Sequence, residues 1–329
     1  MGARRFRLRS ALFDECWLLR RYFRVKSVIP AFLGFLWLCM ATLMGHHDPA
    51  SQAATITAEI QSKGATVALL CERAQLWRTL RKSDLAIQDY LDAVALDPKS
   101  VSTRLKLAQT YYADNALKSA FKVSEEALAM DPKPGERASI LMVRVSIYLV
   151  WKSYKNAAKD AEAALAAVPN HGRIEWYLQR SYAQQMAGEF EACAKGLHEG
   201  YVLTGSAVLY TQWVDTLIDA KAPGEALVEI EKQLEGLRFS ASWRIRKALA
   251  LHALSRKEEA AVELKAALAE LNSRIRPEAE YPDITLLIDR GMAHLLMGNR
   301  KAARRDYDRA KAAGALGWMH WRLTKAFGG

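Results

Sequence analysis

The chain has 329 residues, 51 % apolar and 25 % charged, a balance that supports a buried core and excludes a disordered polymer. Its net charge of +11 suggests nucleic acid until it is located: eight basic residues face two acidic ones in 1–27 and nine face two in 290–329, which leaves 28–289 at −2. The excess belongs to the two ends. Four cysteines (Cys16, Cys39, Cys71 and Cys193) form no C-x-x-C pair and have no histidine at ligand spacing, so neither a metal site nor a disulfide is expected.

The basic segment 1–27 is followed by an uncharged apolar run, Val28 to Gly45, and then by His46-His47-Asp48. As a helix the run would span about 27 Å, close to the hydrocarbon thickness of a bilayer. The basic flank lies before it, so the amino terminus is expected in the cytoplasm and everything after Asp48 outside, as in a single-pass protein of a bacterial inner membrane. A secretory signal shares this pattern, and Ser51-Gln52-Ala53 offers small residues for cleavage before Ala54; the long flank and long apolar run favour a retained anchor. His46-His47-Asp48 reads as a polar interfacial flank, since three neighbouring side chains enclose one ion poorly.

Residues 46–66 read as a linker and the start of a first helix, and from Val67 the chain repeats. Pro98 and Pro132 are 34 residues apart, within Ala-Leu-Asp-Pro and Ala-Met-Asp-Pro. With proline at position 32 of the unit, Val67 and Val101 become first positions. Small residues then recur at position 8 (Ala74, Ala108), 20 (Ala86, Ala120) and 27 (Ala93, Ala127), with aromatics at 11 (Trp77, Tyr111). Units begin again near Ala138, Ile174, Ala207, Ala241 and Ile284. Departures fall at Val145 and Val214 (position 8) and Gln233 (position 27). Each unit holds two apolar-periodic stretches joined by a short turn, and one such pair cannot bury its own apolar face.

These columns resemble the tetratricopeptide repeat family, whose 34-residue unit carries small residues where its two helices cross. The resemblance covers roughly 67–313 and implies an all-α, right-handed solenoid of about seven helix pairs over 67–315. Residues 316–329, with Trp318, Met319, Trp321, Leu323 and Phe327, are expected to form a capping helix and tail; 272–283 and the insertion 133–137 are expected as loops.

No phosphate-binding glycine loop, nucleophile elbow or His-Glu-x-x-His pattern occurs, and the histidines are scattered through the units, so no enzyme and no cofactor is expected. A protein or peptide partner is. Resemblance to the family places the groove on first-helix positions 9 and 12, with some contribution from position 5. The candidate residues are Gln75, Arg78, Gln109, Tyr112 and Ser146 in the first three units, then Tyr182, Gln185, Gln212, Asp215 and His252. Chaperone-binding members of that family hold a terminal carboxylate with Lys at position 5 and Asn at 9; here those positions are Cys71 with Gln75 and Leu105 with Gln109, so an internal segment is expected. The basic carboxyl-terminal stretch (Arg300, Lys301, Arg304, Arg305, Arg309, Lys311, Arg322 and Lys325) offers a second surface, for an anionic partner or nucleic acid.

Overall fold

The computed structural model of the chain describes residues 48–277, 279–315 and 319–327; the expected membrane segment 28–45 and the basic stretch 1–27 lie outside the described residues. Among the described residues there are sixteen helices and no strand, and no helix is long and apolar enough to cross a membrane. Helix α1 spans Pro49–Lys63. Seven pairs follow: α2 (Val67–Thr79) with α3 (Ser83–Leu96), α4 (Val101–Ala113) with α5 (Leu117–Leu128), α6 (Pro134–Val150) with α7 (Tyr154–Ala167), and α8 (Ile174–Ala187) with α9 (Phe190–Thr204). Then come α10 (Ala207–Asp219) with α11 (Pro223–Leu234), α12 (Ala241–Ala253) with α13 (Lys257–Arg274), and α14 (Ile284–Leu296) with α15 (Arg300–Ala312); α16 (Trp321–Phe327) ends the described chain. The chain falls into two compact units, 1–89 and 90–329, divided within α3.

In the first unit, α1 replaces most of the linker expected over 46–66. Asp48 caps it by accepting from the Ala50 and Ser51 amides at 3.2 Å, and Pro49 takes the first turn, where no amide donor is needed. Only Ala53 and Ile56 of its residues are buried, so its sequence carries little apolar period. Arg73 on α2 ties this unit together. Its guanidinium donates to both Asp89 oxygens, at 2.9 and 2.6 Å, and to Thr57 Oγ1 on α1 at 3.1 Å.

The second unit stacks the remaining pairs as a tetratricopeptide-like solenoid. The small-residue columns set how closely paired helices approach. At position 20, Ala120, Ala157, Cys193, Ala226, Ala260 and Ala303 are fully buried, and at position 8 even the larger Val145 and Val214 are accommodated in the core. Gln233, the departure at position 27, lies only partly buried, its amide 3.5 Å from the Tyr210 hydroxyl. The insertion 133–137 does not lengthen a loop: Pro134 begins α6, and Glu136 accepts from the Lys133 amide at 3.3 Å, so these residues add a turn of helix. Likewise α13 runs on to Arg274, shortening the loop expected from 272.

Two periodic features recur along the array, the first in all seven pairs and the second in four. The turn between the helices of a pair places position 15 in the left-handed region: Arg81, Asn115, Lys152, Gly188, Lys221, Ser255 and Gly298 have φ between 56° and 82°. The following amide donates back to the position 11 carbonyl, as from Ala116 to Tyr111 and from Ser153 to Tyr148, both at 2.8 Å. Second, a cation at position 7 meets an acid at position 23 across the pair: Arg73–Asp89, Arg144–Asp160 (2.9 Å), Lys247–Glu263 (3.4 Å) and Arg290–Asp306 (2.7 Å). In the fourth pair position 23 is Gly196, and the Arg180 guanidinium lies where its Cβ would be.

Candidate functional site

A cavity of about 370 Å³ opens on the first helices of the fifth, sixth and seventh pairs. Four repeat positions line it on each helix. Position 2 contributes Val208, Ser242 and Thr285; position 5 contributes Thr211, Ile245 and Ile288. Position 6 gives Gln212, Arg246 and Asp289, and position 9 gives Asp215, Leu249 and Met292. These positions share a helix face because 2, 5, 6 and 9 follow the helical three- and four-residue spacing. Met319, His320, Trp321 and Arg322 complete the wall, so the carboxyl-terminal segment reaches back along the inner face of the array.

That segment does more than cap. Leu323, fully buried, joins the core cluster that includes Leu287, Met292 and Tyr307 of the last pair, as a cap should. From the same helix, the Trp321 ring contacts Phe190 at the start of α9 (5.7 Å between centroids), and Arg322 donates to Asp219 Oδ1 and to the Asp215 carbonyl, both at 2.8 Å. One short helix thus links the seventh pair to the fourth and fifth. Burial pushes the Asp219 carboxyl above its ordinary range, with the Arg322 charge acting against it.

Position 6 forms a buried polar row in a wall that mixes aliphatic side chains with Thr211, Asp215, Ser242 and Thr285. Arg246 donates to Asp215 Oδ2 at 3.1 Å and to Ser242 Oγ at 2.7 Å, and its guanidinium carbon lies 5.3 Å from the Trp243 ring centre. Asp289 is 8 % exposed; burial raises its carboxyl above the usual value, opposed by the Arg246 charge and a hydrogen bond from Ser242. Gln212 is also 8 % exposed, and its carboxamide oxygen has no hydrogen-bond partner. A buried polar group left unpaired costs about 1–3 kcal/mol, and Arg246 Nε in the same row is a second such group.

The hydroxyl of Thr211 and the imidazole of His320 in the wall are engaged within the chain. Thr211 Oγ1 donates to its own helix at the Ala207 carbonyl (2.8 Å), and the His320 ring nitrogens face Thr324 Oγ1 at 2.7 Å and the Ala315 carbonyl at 3.4 Å. Burial holds His320 below its ordinary pKa, while the Cys193 thiol, outside the cavity, is pushed up to about 12 by burial and is a poor nucleophile. Among the described residues no group of three or more His, Cys, Asp or Glu is placed to hold a metal ion.

Of the groove residues expected from the sequence, Gln212 and Asp215 line the cavity. Gln212 stands at position 6, but Arg246 and Asp289 at that position, and all of position 2, were missed. These become visible only when the three first helices are seen side by side. Position 12 behaves differently: Gln185 is buried with its amide donating to Thr216 Oγ1 on α10 at 3.0 Å, and His252 is half-buried outside the cavity wall. Gln109, Tyr112 and Ser146 are half-buried on α4 and α6, and Tyr182 on α8 lies edge-on to Tyr154 at 6.2 Å. In the first unit Gln75 is exposed and its carboxamide oxygen accepts from Arg78 at 3.3 Å.

Much of the carboxyl-terminal basic stretch is engaged internally. Arg300 and Arg304 lie over the Phe327 ring, Arg304 pairs with Asp308, and Arg309 donates to the Pro277 carbonyl at 2.7 Å. Lys311 lies over Tyr307, and Lys325 over Phe190 and Trp321.

No family model matches the chain, and no curated protein matches its sequence. Solved structures similar to it include a tetratricopeptide repeat protein from Parabacteroides merdae ATCC 43184, 17 % identical over 80 % of this chain and 95 % of that one, with a TM-score of 0.45. Another is YrrB, described as a tetratricopeptide protein with an unusual peptide-binding site, 15 % identical over 72 % of this chain and 97 % of that one (TM-score 0.31). A thermophilic tetratricopeptide protein of Thermus thermophilus is 18 % identical over 56 % of this chain and 99 % of that one (TM-score 0.37). By its own geometry, successive antiparallel helix pairs with small residues buried at their crossings, the described chain has a tetratricopeptide-repeat-like fold.

Proposed function

We propose that the chain is a scaffold without catalytic activity that holds a partner protein through a segment laid along the first-helix face of its array. One observation carries this reading: a cavity built from the same four positions on the first helices of three successive pairs. A concave wall that combines apolar side chains with convergent polar groups is the usual make-up of a binding site. Tyr112 and Tyr182, on earlier pairs of the same unit, would extend the contact.

The same reading has the scaffold anchored by 28–45, with the pairs outside the cytoplasm. Retention of the anchor is favoured over cleavage after Ala53, because that cut would remove the Asp48 cap and open the first turn of α1, where Ala53 is fully buried. A reporter fused to the carboxyl terminus gives the side.

Selection of displayed peptides on the full chain tests the binding face. Leu249→Trp fills the cavity without touching a charge, and should weaken the selected peptides by about tenfold or more, the equivalent of 1.4 kcal/mol. Peptides that bind the filled variant equally well would place recognition elsewhere.

A further inference from the structure

A second cleft, of about 470 Å³, lies between α13, α14 and α15 of the last two pairs and shares no residue with the first-helix cavity. Its lining is basic. Arg290 and His294 come from α14, Arg305 and Arg309 from α15, and Asn272 from α13. Among the described residues Asp306 is the only acid that lines it, and Arg290 donates to both of its oxygens, at 2.8 and 2.7 Å. Arg290 also donates to the Asn272 carboxamide oxygen at 3.3 Å, which leaves the Asn272 amide as a donor.

Two cations remain without a carboxylate. Arg309 uses Nη2 for the Arg276 and Pro277 carbonyls, at 3.3 and 2.7 Å, and Arg305 makes no side-chain hydrogen bond or ion pair among the described residues. They stand four residues apart on α15, a spacing at which like charges repel and weaken a helix. His294 feels the same excess. Burial holds it below its ordinary pKa; the Asp306 charge acts against this, and the Arg290 and Arg305 charges push it further down.

We infer that this cleft binds a phosphoryl dianion, that of inorganic phosphate or a small soluble phosphomonoester, between the Arg305 and Arg309 guanidinium groups, with Asn272 and His294 as further donors. Charge selects among oxyanions: three arginines against one aspartate leave the lining at +2 with His294 neutral, which a dianion balances and a single carboxylate does not. Guanidinium groups meet phosphate oxygens through paired, charge-assisted hydrogen bonds. At about 470 Å³ the cleft has the size of a small-molecule site, and Ala302 is the one apolar residue in its lining, so it offers no wall for acyl chains.

The test titrates inorganic phosphate, glycerol 3-phosphate and acetate into the full chain by calorimetry at constant ionic strength. Both phosphates should bind with a Kd of about 1 mM or below, as expected for two guanidinium contacts, and acetate about tenfold or more weakly. The His294 ring resonance, assigned with His294→Gln, should titrate at higher pH in phosphate than in chloride, because a bound anion favours the imidazolium. Arg305→Gln should weaken phosphate about tenfold or more and Arg305→Lys should recover part of the loss. Lys301→Gln removes an equal charge from α15 outside the cleft lining and should change nothing; both positions are exposed, so helicity should hold. Dihexanoyl phosphatidic acid carries the same phosphoryl group on acyl chains, and its binding tenfold more tightly than glycerol 3-phosphate would overturn the soluble source in favour of a lipid headgroup. Acetate binding as tightly as phosphate, phosphate binding unaltered in Arg305→Gln or weakened equally by Lys301→Gln, or a His294 titration indifferent to phosphate would each overturn the site.

Discussion

Replacing Arg322 with Met removes the contact by which the last helix holds the fifth pair. Its guanidinium makes two charge-assisted hydrogen bonds, to Asp219 Oδ1 and the Asp215 carbonyl, and the Arg322 and Asp219 side chains are 17 % and 18 % exposed. Hydrogen bonds to charged groups contribute about 1.5–3 kcal/mol each when buried, and partial exposure here brings the sum down to about 2–3 kcal/mol. The Asp219 carboxyl, already raised by burial, takes up a proton more readily once its counter-charge is gone, which limits the loss. Because repeat arrays open locally, the change is read best in amide hydrogen exchange of residues 319–327, where opening should become roughly 30- to 150-fold easier. Adding Asp219→Asn to Arg322→Met should restore about 1–2 kcal/mol relative to additive losses, since the orphaned acid is then gone. Protection of 319–327 unchanged from the parent chain, or strictly additive losses, would refute the clasp.

Two further perturbations probe the repeat columns and the cavity. A Cβ at Gly200 would lie 2.7 Å from Tyr177 Cδ1 and 3.0 Å from Leu209 Cδ1, so Gly200→Ala should lower stability by about 1 kcal/mol net of its gain in helix propensity, whereas Gly291→Ala, whose nearest neighbour is Leu323 Cδ1 at 3.3 Å, should be nearly neutral; urea denaturation distinguishes them, and equal midpoints would contradict the packing described. Asp289 titrates above its ordinary value in the fold, with Arg246, Asp215 and Asp283 as the charges acting on it, so its contribution to stability is largest below the unfolded carboxylate pKa of about 3.9 and is lost as pH rises through the folded value. Asp289→Asn should therefore be the more stable protein at pH 7, with the advantage shrinking towards pH 4; a constant difference across that range would show that charge burial is not its cause.

The pairs were legible in the sequence because their determinants are local and periodic. Ala120, Ala157 and Ala260 each sit where two helices of one pair cross, and the recurring columns of small residues mark them without any knowledge of neighbours, although the spacing between units is uneven. The position 7 to position 23 ion pairs, such as Arg144–Asp160, carry the same kind of signal at a fixed separation of 16, but charged columns look like solvated faces until burial is known. Helix α1 was concealed by its nearly polar surface. The cavity was half visible: Asp215 follows from the register, while Asp289 and Arg246 become a site only when α12 and α14 are laid beside α10 and residues 319–322 fold back over them. That return spans about a hundred residues of chain, from Arg322 to Asp219, and no local pattern encodes it.

The left-handed residue between the two helices of every pair separates what is fixed in this protein from what is adjustable. Five of its seven occupants have a Cβ, at a conformation that costs such residues about 1 kcal/mol or more, so the hairpin bend is held in one shape even where the sequence resists it. The joints between pairs are less regular: left-handed residues occur in four of them (Asp131, Asn170, Gly205 and Gly236) but at no fixed repeat position, and one joint is only residues 205–206 while another stretches from Arg274 to Ile284. The array of the second unit is therefore a chain of stiff links on unequal hinges. Its pitch is written in the hinges, and a change in their length would re-aim the faces of whole pairs while leaving each pair intact.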